Sequence, residues 1–299
     1  MILGSGEYQY ERVEGWAKLP KYFTFGEPAG IACDSNDHVF VFCRSAHPII
    51  ILDRDGNFVS CWGEGHFSGP HGIFIDKDDS IYLTDYQAHV VEKFRPDGEL
   101  LMTLGTRGHA LPVFLRKPFN QPTNVAIASS GEIYISDGYA GHVVHKFTAE
   151  GELLKTWGEC GSGPGQFAWP HGIAVDRYGK VYVCDRENDR IQIFDSEGEF
   201  LDMWTDFMNP HDMYIDRQND IIYTVESNLR VQSKPDQQSR ITIRDINGAV
   251  LSSWQGRESD GDGVLEVTHD IWVDSHGDIY VTELRDCNRV QKFAKVNMS

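Results

Sequence analysis

Short stretches of β-branched and aromatic residues alternate with polar turns along the whole chain, and this pattern repeats. A proline or polar turn followed by a first short strand recurs six times, in EPAGIACD (27–34), GPHGIFID (69–76), QPTNVAIA (121–128), WPHGIAVD (169–176), NPHDMYID (209–216) and VTHDIWVD (267–274). The first strands are followed by second strands such as IYLTD, third strands such as HVVEKF and fourth strands that end near tryptophan. Four short alternating strands joined by tight turns predict a four-stranded antiparallel sheet.

Six such sheets predict an all-β fold, a six-bladed β-propeller that forms one domain over residues 1–299. The blades are expected to start near residues 29, 71, 123, 171, 211 and 269. The last repeat lacks a fourth strand, and residues 8–17, which end near Trp16, are predicted to complete it and close the ring. Two connections are enlarged, Thr106–Phe119 and Ser227–Arg240.

Charge and cysteine content narrow the possible partners and location. The 299 residues carry 27 Lys and Arg against 45 Asp and Glu, a formal charge of −18, which argues against nucleic acid or an anionic membrane as partner. No apolar run is long enough to span a bilayer, and no signal peptide is recognised at the N-terminus. Six scattered cysteines without a CxxC pair indicate a reducing compartment. We therefore expect a cytoplasmic protein.

Histidine recurs at the residue that opens the innermost strand of each blade. These opening residues, in chain order, are Ala29, His71, Thr123, His171, His211 and His269. Histidines from blades two, four and six converge at about 120° in a six-fold ring, which is what an open three-histidine zinc site requires. The alternative is that they are turn residues bonded to neighbouring loops. His211 breaks the alternation, and three roles stay open for it: it orients a ligand, it contacts the substrate, or it only follows the repeat.

The ends of the second strands bring further polar groups to the same face. Arg44, Tyr86, Tyr139 and Arg186 follow these strands and differ from blade to blade, so maintenance of the repeat does not explain them. Arginines suit the capture of a carboxylate, and a tyrosine near a metal and arginines can serve as a base. Tyr86 is a candidate substrate contact. The recurring acids Asp85, Asp137, Asp185 and Glu226 are expected to cap loop amides.

These segments resemble a known family. The repeats look like NHL repeats, and the chain resembles the peptidyl-α-hydroxyglycine α-amidating lyase domain of peptidylglycine amidating enzymes over roughly residues 27–295. The similarity is carried by PHGIFID, QPTNVAI, SDGYAGHVVHKF, TWGECGSGPGQF, DRENDRIQIF and HDIWVD.

The resemblance implies a set of functional residues. Zinc would be held by His71, His171 and His269, with Tyr139 as base and with Arg44 and Arg186 on the substrate. The implied reaction cleaves the carbinolamide C–N bond of an α-hydroxyglycine and gives an amide and glyoxylate.

A structural calcium ion is also implied by the resemblance. It would take the Asp270 carboxylate and the main-chain carbonyls of Ile31 and Ile73.

The sequence also departs from the family. Ala140 and Ile193 stand where disulfide cysteines are expected, which agrees with a cytoplasmic relative. Val267-Thr268 replaces the Met-Pro that precedes the third histidine, and His211 is additional. These changes touch the pocket, so another small α-hydroxy carboxylated substrate fits the sequence as well.

Two other classes of function stay open. One is a metal-dependent hydrolase of the lactonase type, whose propeller sites hold calcium through Glu, Asn and Asp side chains. The other is a non-catalytic NHL scaffold that binds a protein or RNA. Converging histidines have no use in a scaffold, and a basic face for RNA is at odds with the net charge.

Overall fold

The computed structural model describes residues 1–227, 238–256, 265–285 and 287–296. Two N-terminal strands come first, β1 (Ile2–Ser5) and β2 (Tyr8–Arg12). Blade one contains β3 (Glu27–Cys33), β4 (Val39–Arg44), β5 (Ile49–Leu52) and β6 (Phe58–Trp62). Blade two contains β7 (Pro70–Ile75), β8 (Ile81–Asp85), β9 (Val90–Phe94) and β10 (Leu100–Gly105). Blade three contains β11 (Asn124–Ile127), β12 (Ile133–Asp137), β13 (Val143–Phe147) and β14 (Leu153–Trp157).

The remaining three blades follow the same order. Blade four contains β15 (Pro170–Val175), β16 (Val181–Asp185), β17 (Arg190–Phe194) and β18 (Phe200–Trp204). Blade five contains β19 (Pro210–Asp216), β20 (Ile221–Glu226), β21 (Arg240–Asp245) and β22 (Val250–Gln255). Blade six contains β23 (Thr268–Val273), β24 (Ile279–Glu283) and β25 (Arg289–Lys295). Two 3₁₀ turns, Val113–Leu115 and Arg186–Asn188, complete the described secondary structure. The predicted all-β, six-bladed β-propeller is confirmed.

Tight turns connect the third and fourth strands of the repeat. In blade four, the Asp195 carboxylate accepts the backbone N–H groups of Glu197 and Glu199 at 2.8 and 2.9 Å. Gly198 then takes φ +76°, where a Cβ atom would also meet the Trp157 indole at 2.5 Å. A glycine is therefore required by both the backbone and the neighbouring blade.

The N-terminal strand completes blade six, as the sequence predicts. Strand β2 pairs antiparallel with β25, with Tyr10 opposite Lys295, and β1 adds a fifth strand that the repeat did not indicate. The pairing ends at Arg12, because the chain turns at Glu14–Gly15 and leaves the sheet. Trp16 is instead buried against Tyr280, with ring centroids 5.1 Å apart.

The chain divides into two compact units, each holding three blades. The central unit (residues 63–210) contains blades two to four, and the terminal unit (residues 1–62 and 211–299) contains blades one, five and six. The organisation as one domain stays a prediction.

Apolar residues of adjacent sheets form the core in each unit. In the central unit, one cluster that includes Tyr134, Trp157 and Phe194 lies between blades three and four, and a second one that includes Phe119 and Phe147 lies between blades two and three. The terminal unit has the same arrangement between blades five and six and between blades six and one.

The first strands pack against one another within each unit, and they are therefore the innermost strands. In the central unit β11 contacts both β7 and β15, and in the terminal unit β23 contacts β3. The enlarged Thr106–Phe119 connection is confirmed between β10 and β11. Of the second one, Ser227–Arg240, residues 228–237 lie outside the described residues.

Candidate functional site

A β-bulge places each candidate zinc histidine of the central unit at the start of its innermost strand. The register of β7 with β8 shifts between Pro70 and Ile73, and that of β15 with β16 shifts between Pro170 and Ile173. Such a bulge re-aims the side chain within it. His71 and His171 both lie in these irregular stretches and are almost completely buried.

Gly72, next to His71, allows blade three to approach closely. A Cβ atom there would lie 2.4 Å from the Asn124 side-chain oxygen and 2.7 Å from the Thr123 carbonyl oxygen. This approach brings the Thr123 carbonyl within 2.7 Å of His71 Nδ1. Since a carbonyl only accepts hydrogen bonds, Nδ1 carries the proton and Nε2 keeps its lone pair. The Thr123 carbonyl, which Gly72 allows to approach, thus fixes the imidazole in a form that can ligate a metal.

Tyr139 bridges the two central histidines. Its hydroxyl lies 2.7 Å from His71 Nε2, to which it donates, and 3.3 Å from His171 Nε2. The two imidazole rings are 4.7 Å apart. Three groups that the sequence predicted to act together therefore meet around one oxygen atom, within the central unit alone.

Arg186 lies beside this cluster. Its guanidinium carbon is 5.6 Å from the ring centroid of Tyr139, and its Nε donates to a Glu187 carboxylate oxygen at 3.1 Å. Tyr86 completes the surroundings, with its ring 5.9 Å from that of His71 and 5.4 Å from that of Tyr139. A cation next to a phenol favours the deprotonated phenol.

Buried acids hold the loops that lead into these histidine strands, as expected. Asp85 accepts the backbone N–H groups of Ser68 and Gly69, both at 2.7 Å, just before β7. Asp185 likewise accepts a hydrogen bond from the backbone N–H of Ala168, just before β15, and another from Nε of Arg190. Burial raises the pKa of Asp185, against the effect of these donors.

His269 in the terminal unit repeats the arrangement of His71. It opens β23 at a register shift between Thr268 and Asp270, and its Nδ1 lies 2.6 Å from the Ala29 carbonyl oxygen. The same donor argument leaves the lone pair on Nε2. His211 is also buried, with its ring 5.6 Å from that of His269.

Arg44 ends β4 in the terminal unit, opposite Glu27 in the strand register. Its guanidinium donates to a Glu27 carboxylate oxygen at 3.0 Å. Both candidate arginines therefore have an acidic neighbour, which the sequence reasoning missed. Glu27 could have been found, because it precedes the first Pro of the repeat where other blades carry Gly, Gln, Trp or Asn.

Asp270 is buried and accepts two backbone N–H groups. Ile31 N donates to Oδ2 at 2.9 Å and Ile271 N donates to Oδ1 at 2.7 Å. Burial raises the pKa of Asp270, which also forms a side-chain hydrogen bond with Asp212. Two buried carboxyl groups in contact are a donor set that suits a hard cation. Ile73 lies on β7 in the central unit.

The six cysteines, all within the described part of the chain, form no disulfide bond. Among the described residues, no helix has the length and apolar character needed to cross a membrane.

Comparison with known proteins connects this geometry to sequence relatives. The NHL repeat family model matches residues 167–194, which cover the first three strands of blade four. Human NHL repeat-containing protein 3 is 35% identical over 203 residues, 64% of this chain and 58% of that protein. Peptidyl-alpha-hydroxyglycine alpha-amidating lyase 1 of Drosophila melanogaster is 32% identical over 256 residues, 78% of this chain. The chain spans 46% of that lyase.

A gluconolactonase from Xanthomonas campestris has the same fold. Its structure superposes with a TM-score of 0.67 at 12% identity and covers 98% of this chain and 97% of that one. Both predicted resemblances are therefore confirmed: the chain carries an NHL repeat on a six-bladed propeller, and it is similar in sequence to a protein named as an amidating lyase.

Proposed function

We propose that the protein is a zinc-dependent lyase that cleaves the C–N bond of an α-hydroxyglycine-like carboxylated substrate. The observation that carries the proposal is the Tyr139 hydroxyl between the Nε2 atoms of His71 and His171. The similarity to a protein named as an amidating lyase supports the same reaction class.

The proposed zinc ligands are His71, His171 and His269. The donor set fits, because His71 and His269 both bind a main-chain carbonyl through Nδ1 and so present an unprotonated Nε2. The part of His269 in the same site is inferred from the ring symmetry of blades two, four and six. When bound, zinc would supply Lewis-acid polarisation of a substrate oxygen.

The other residues divide the chemistry among them. Arg186 and Arg44 hold the substrate carboxylate, and Tyr139 accepts the proton of the α-hydroxyl group at its phenolic oxygen. As the C–O double bond forms, the C–N bond breaks and its electron pair leaves with the nitrogen, which takes up a proton. The products are an amide and glyoxylate.

Release of glyoxylate tests the proposal directly. The zinc-loaded protein is incubated with α-hydroxyhippurate, and both benzamide and glyoxylate are quantified against a blank without protein. Equimolar, enzyme-dependent release of both products is expected. Hydrolysis of a sugar lactone without any cleavage of α-hydroxyhippurate would instead favour the lactonase-type alternative.

Loss of the arginine side chain should weaken substrate binding. We expect Arg186→Gln to raise KM about 10- to 100-fold, since a charge-assisted pair of hydrogen bonds to the carboxylate is lost. Steady-state kinetics on α-hydroxyhippurate measure this change. Arg95→Gln, at an exposed arginine of blade two, serves as the matched control and should leave KM unchanged. An unchanged KM in Arg186→Gln would contradict its assignment.

A structural calcium ion at Asp270 is a second part of the proposal. The Ile31 and Ile73 carbonyls are its proposed main-chain ligands. If calcium binds only the folded protein, a hundredfold excess over Kd should raise Tm by about 4 °C. Thermal melts with calcium and with a chelator measure the shift, and Asp270→Asn should abolish it, whereas the exposed control Asp78→Asn should keep it. Equal melting temperatures of the wild-type protein with calcium and with chelator would remove calcium from the proposal.

The substrate is proposed to be a small carboxylated molecule or a peptide-derived one. A cytoplasmic location and the lack of nucleic-acid and membrane partners stay predictions.

A further inference from the structure

Trp169 is a half-exposed tryptophan beside the candidate site of the central unit. Its ring centroid is 5.9 Å from that of Tyr139 in an edge-to-face contact, and the Arg186 guanidinium carbon lies 4.9 Å from it. The residue keeps 40% of its accessible surface. Neither the repeat pattern nor the resemblance assigned it a role.

The backbone at Trp169 is left-handed, with φ +64°. Blades three to five share this conformation before their first proline, since Gln121 and Asn209 at the equivalent positions have φ +69° and +47°, whereas Glu27 and Gly69 of blades one and two do not adopt it. A bulky aromatic residue is disfavoured there, whereas asparagine tolerates it. The fold therefore gains little from a tryptophan at this position, and its ring must serve another purpose.

That purpose is suggested by how Arg186 is held. Its guanidinium lies over both Trp169 and Tyr139, and its backbone N–H donates to the Trp169 carbonyl oxygen at 3.3 Å. Asn209, from the equivalent left-handed position of the next repeat, donates to the Arg186 carbonyl oxygen at 3.2 Å. The turn is thus held by backbone hydrogen bonds, while the guanidinium is held by the Glu187 carboxylate at Nε and by its contacts with two aromatic rings.

We propose that Trp169 is a positioning residue for Arg186 and sets the requirement for a carboxylate in the substrate. A guanidinium held against an aromatic face keeps one orientation, so its coplanar N–H donors can meet the two oxygens of a carboxylate together. Without the indole, the guanidinium turns more freely and loses this alignment. The inference rests on the carboxylate-binding role of Arg186 in the proposed function.

The test compares a charged and a neutral ligand on zinc-loaded protein. Hippurate and hippuramide differ only at the carboxylate, lack the α-hydroxyl group and are not cleaved, so calorimetric titration gives both affinities. Trp169→Asn is expected to lower the affinity for hippurate about 3- to 30-fold, the usual range of a cation–π contact, with hippuramide nearly unaffected. Trp169→Phe keeps a ring and should restore most of the preference.

A matched control comes from the same blade. Tyr178 is 63% exposed and lies under the Arg177 guanidinium at 5.0 Å, at the opposite end of the β15–β16 hairpin. Tyr178→Asn removes a similar aromatic–arginine pair and should leave both affinities unchanged. The Tm of Trp169→Asn should equal or exceed that of the wild-type protein, since asparagine relieves the left-handed backbone.

The outcomes separate this inference from the proposed function. In one outcome the wild-type protein prefers hippurate but releases no glyoxylate from α-hydroxyhippurate, and the Trp169→Asn variant has lost that preference. The positioning role then stands and the lyase proposal fails. An unchanged preference in Trp169→Asn overturns the positioning role, whatever the activity. A wild-type protein that does not prefer hippurate over hippuramide overturns it as well.

Discussion

The His171→Ala protein, purified without chelator, is expected to lose its zinc and its lyase activity together. Wild-type protein should carry about one zinc per chain, since three histidines with a position left for substrate form a typical catalytic site. Removal of His171 leaves His71 with too few partners to retain a metal at the concentrations reached during purification. Elemental analysis of matched samples measures the zinc, and glyoxylate release measures the activity.

A control histidine makes this result specific. His109 lies exposed in the enlarged connection between blades two and three, and His109→Ala should keep both zinc and activity. Circular dichroism on each variant checks that the fold is retained. If a folded variant with alanine at positions 71, 171 and 269 still carries stoichiometric zinc, the site assignment is wrong.

Tyr139→Phe is expected to lower kcat about 10²- to 10⁴-fold, the usual contribution of a positioned acid–base group. Phenylalanine keeps the ring that packs against Trp169 and Arg186 and removes only the hydroxyl that lies between the two imidazoles. Zinc content should therefore stay at the wild-type level, and KM should change little.

Tyr86→Phe is the companion variant for this measurement. Its ring contacts both His71 and Tyr139, but its hydroxyl accepts a hydrogen bond from Gln87 at 3.0 Å. A small effect on kcat is expected from this change. If Tyr139→Phe turns over α-hydroxyhippurate at the wild-type rate, the base must be another group, for example His211.

The sequence predicted the blades well because each carries its own strand and turn signals. The Pro-His-Gly segments even indicated which residues open the inner strands. Features that depend on contacts between blades could not be predicted from the sequence. The tautomer of His71 is set by the Thr123 carbonyl of the next blade, and no pattern around His71 contains that carbonyl.

Two further features escaped the sequence reasoning for related reasons. Strand β1 lacks the repeat pattern, since it is a fifth strand added outside the four-strand unit. Trp169 lies in a repeat segment at a turn position that varies from blade to blade, so the pattern does not distinguish it. Its contacts with the Arg186 guanidinium and the Tyr139 ring show that its side chain faces the site.

The pairing of β2 with β25 has a consequence for synthesis of the chain on the ribosome. Tyr10 pairs with Lys295, so blade six cannot be completed until the chain has been translated as far as β25. At about 5–20 residues per second, this delay amounts to roughly a quarter of a minute to one minute. During that time the edge of β2, with Tyr10 destined for complete burial, is open to pairing with other nascent chains. The polar residues Gln9, Glu11 and Arg12 beside it are suited to discourage such encounters.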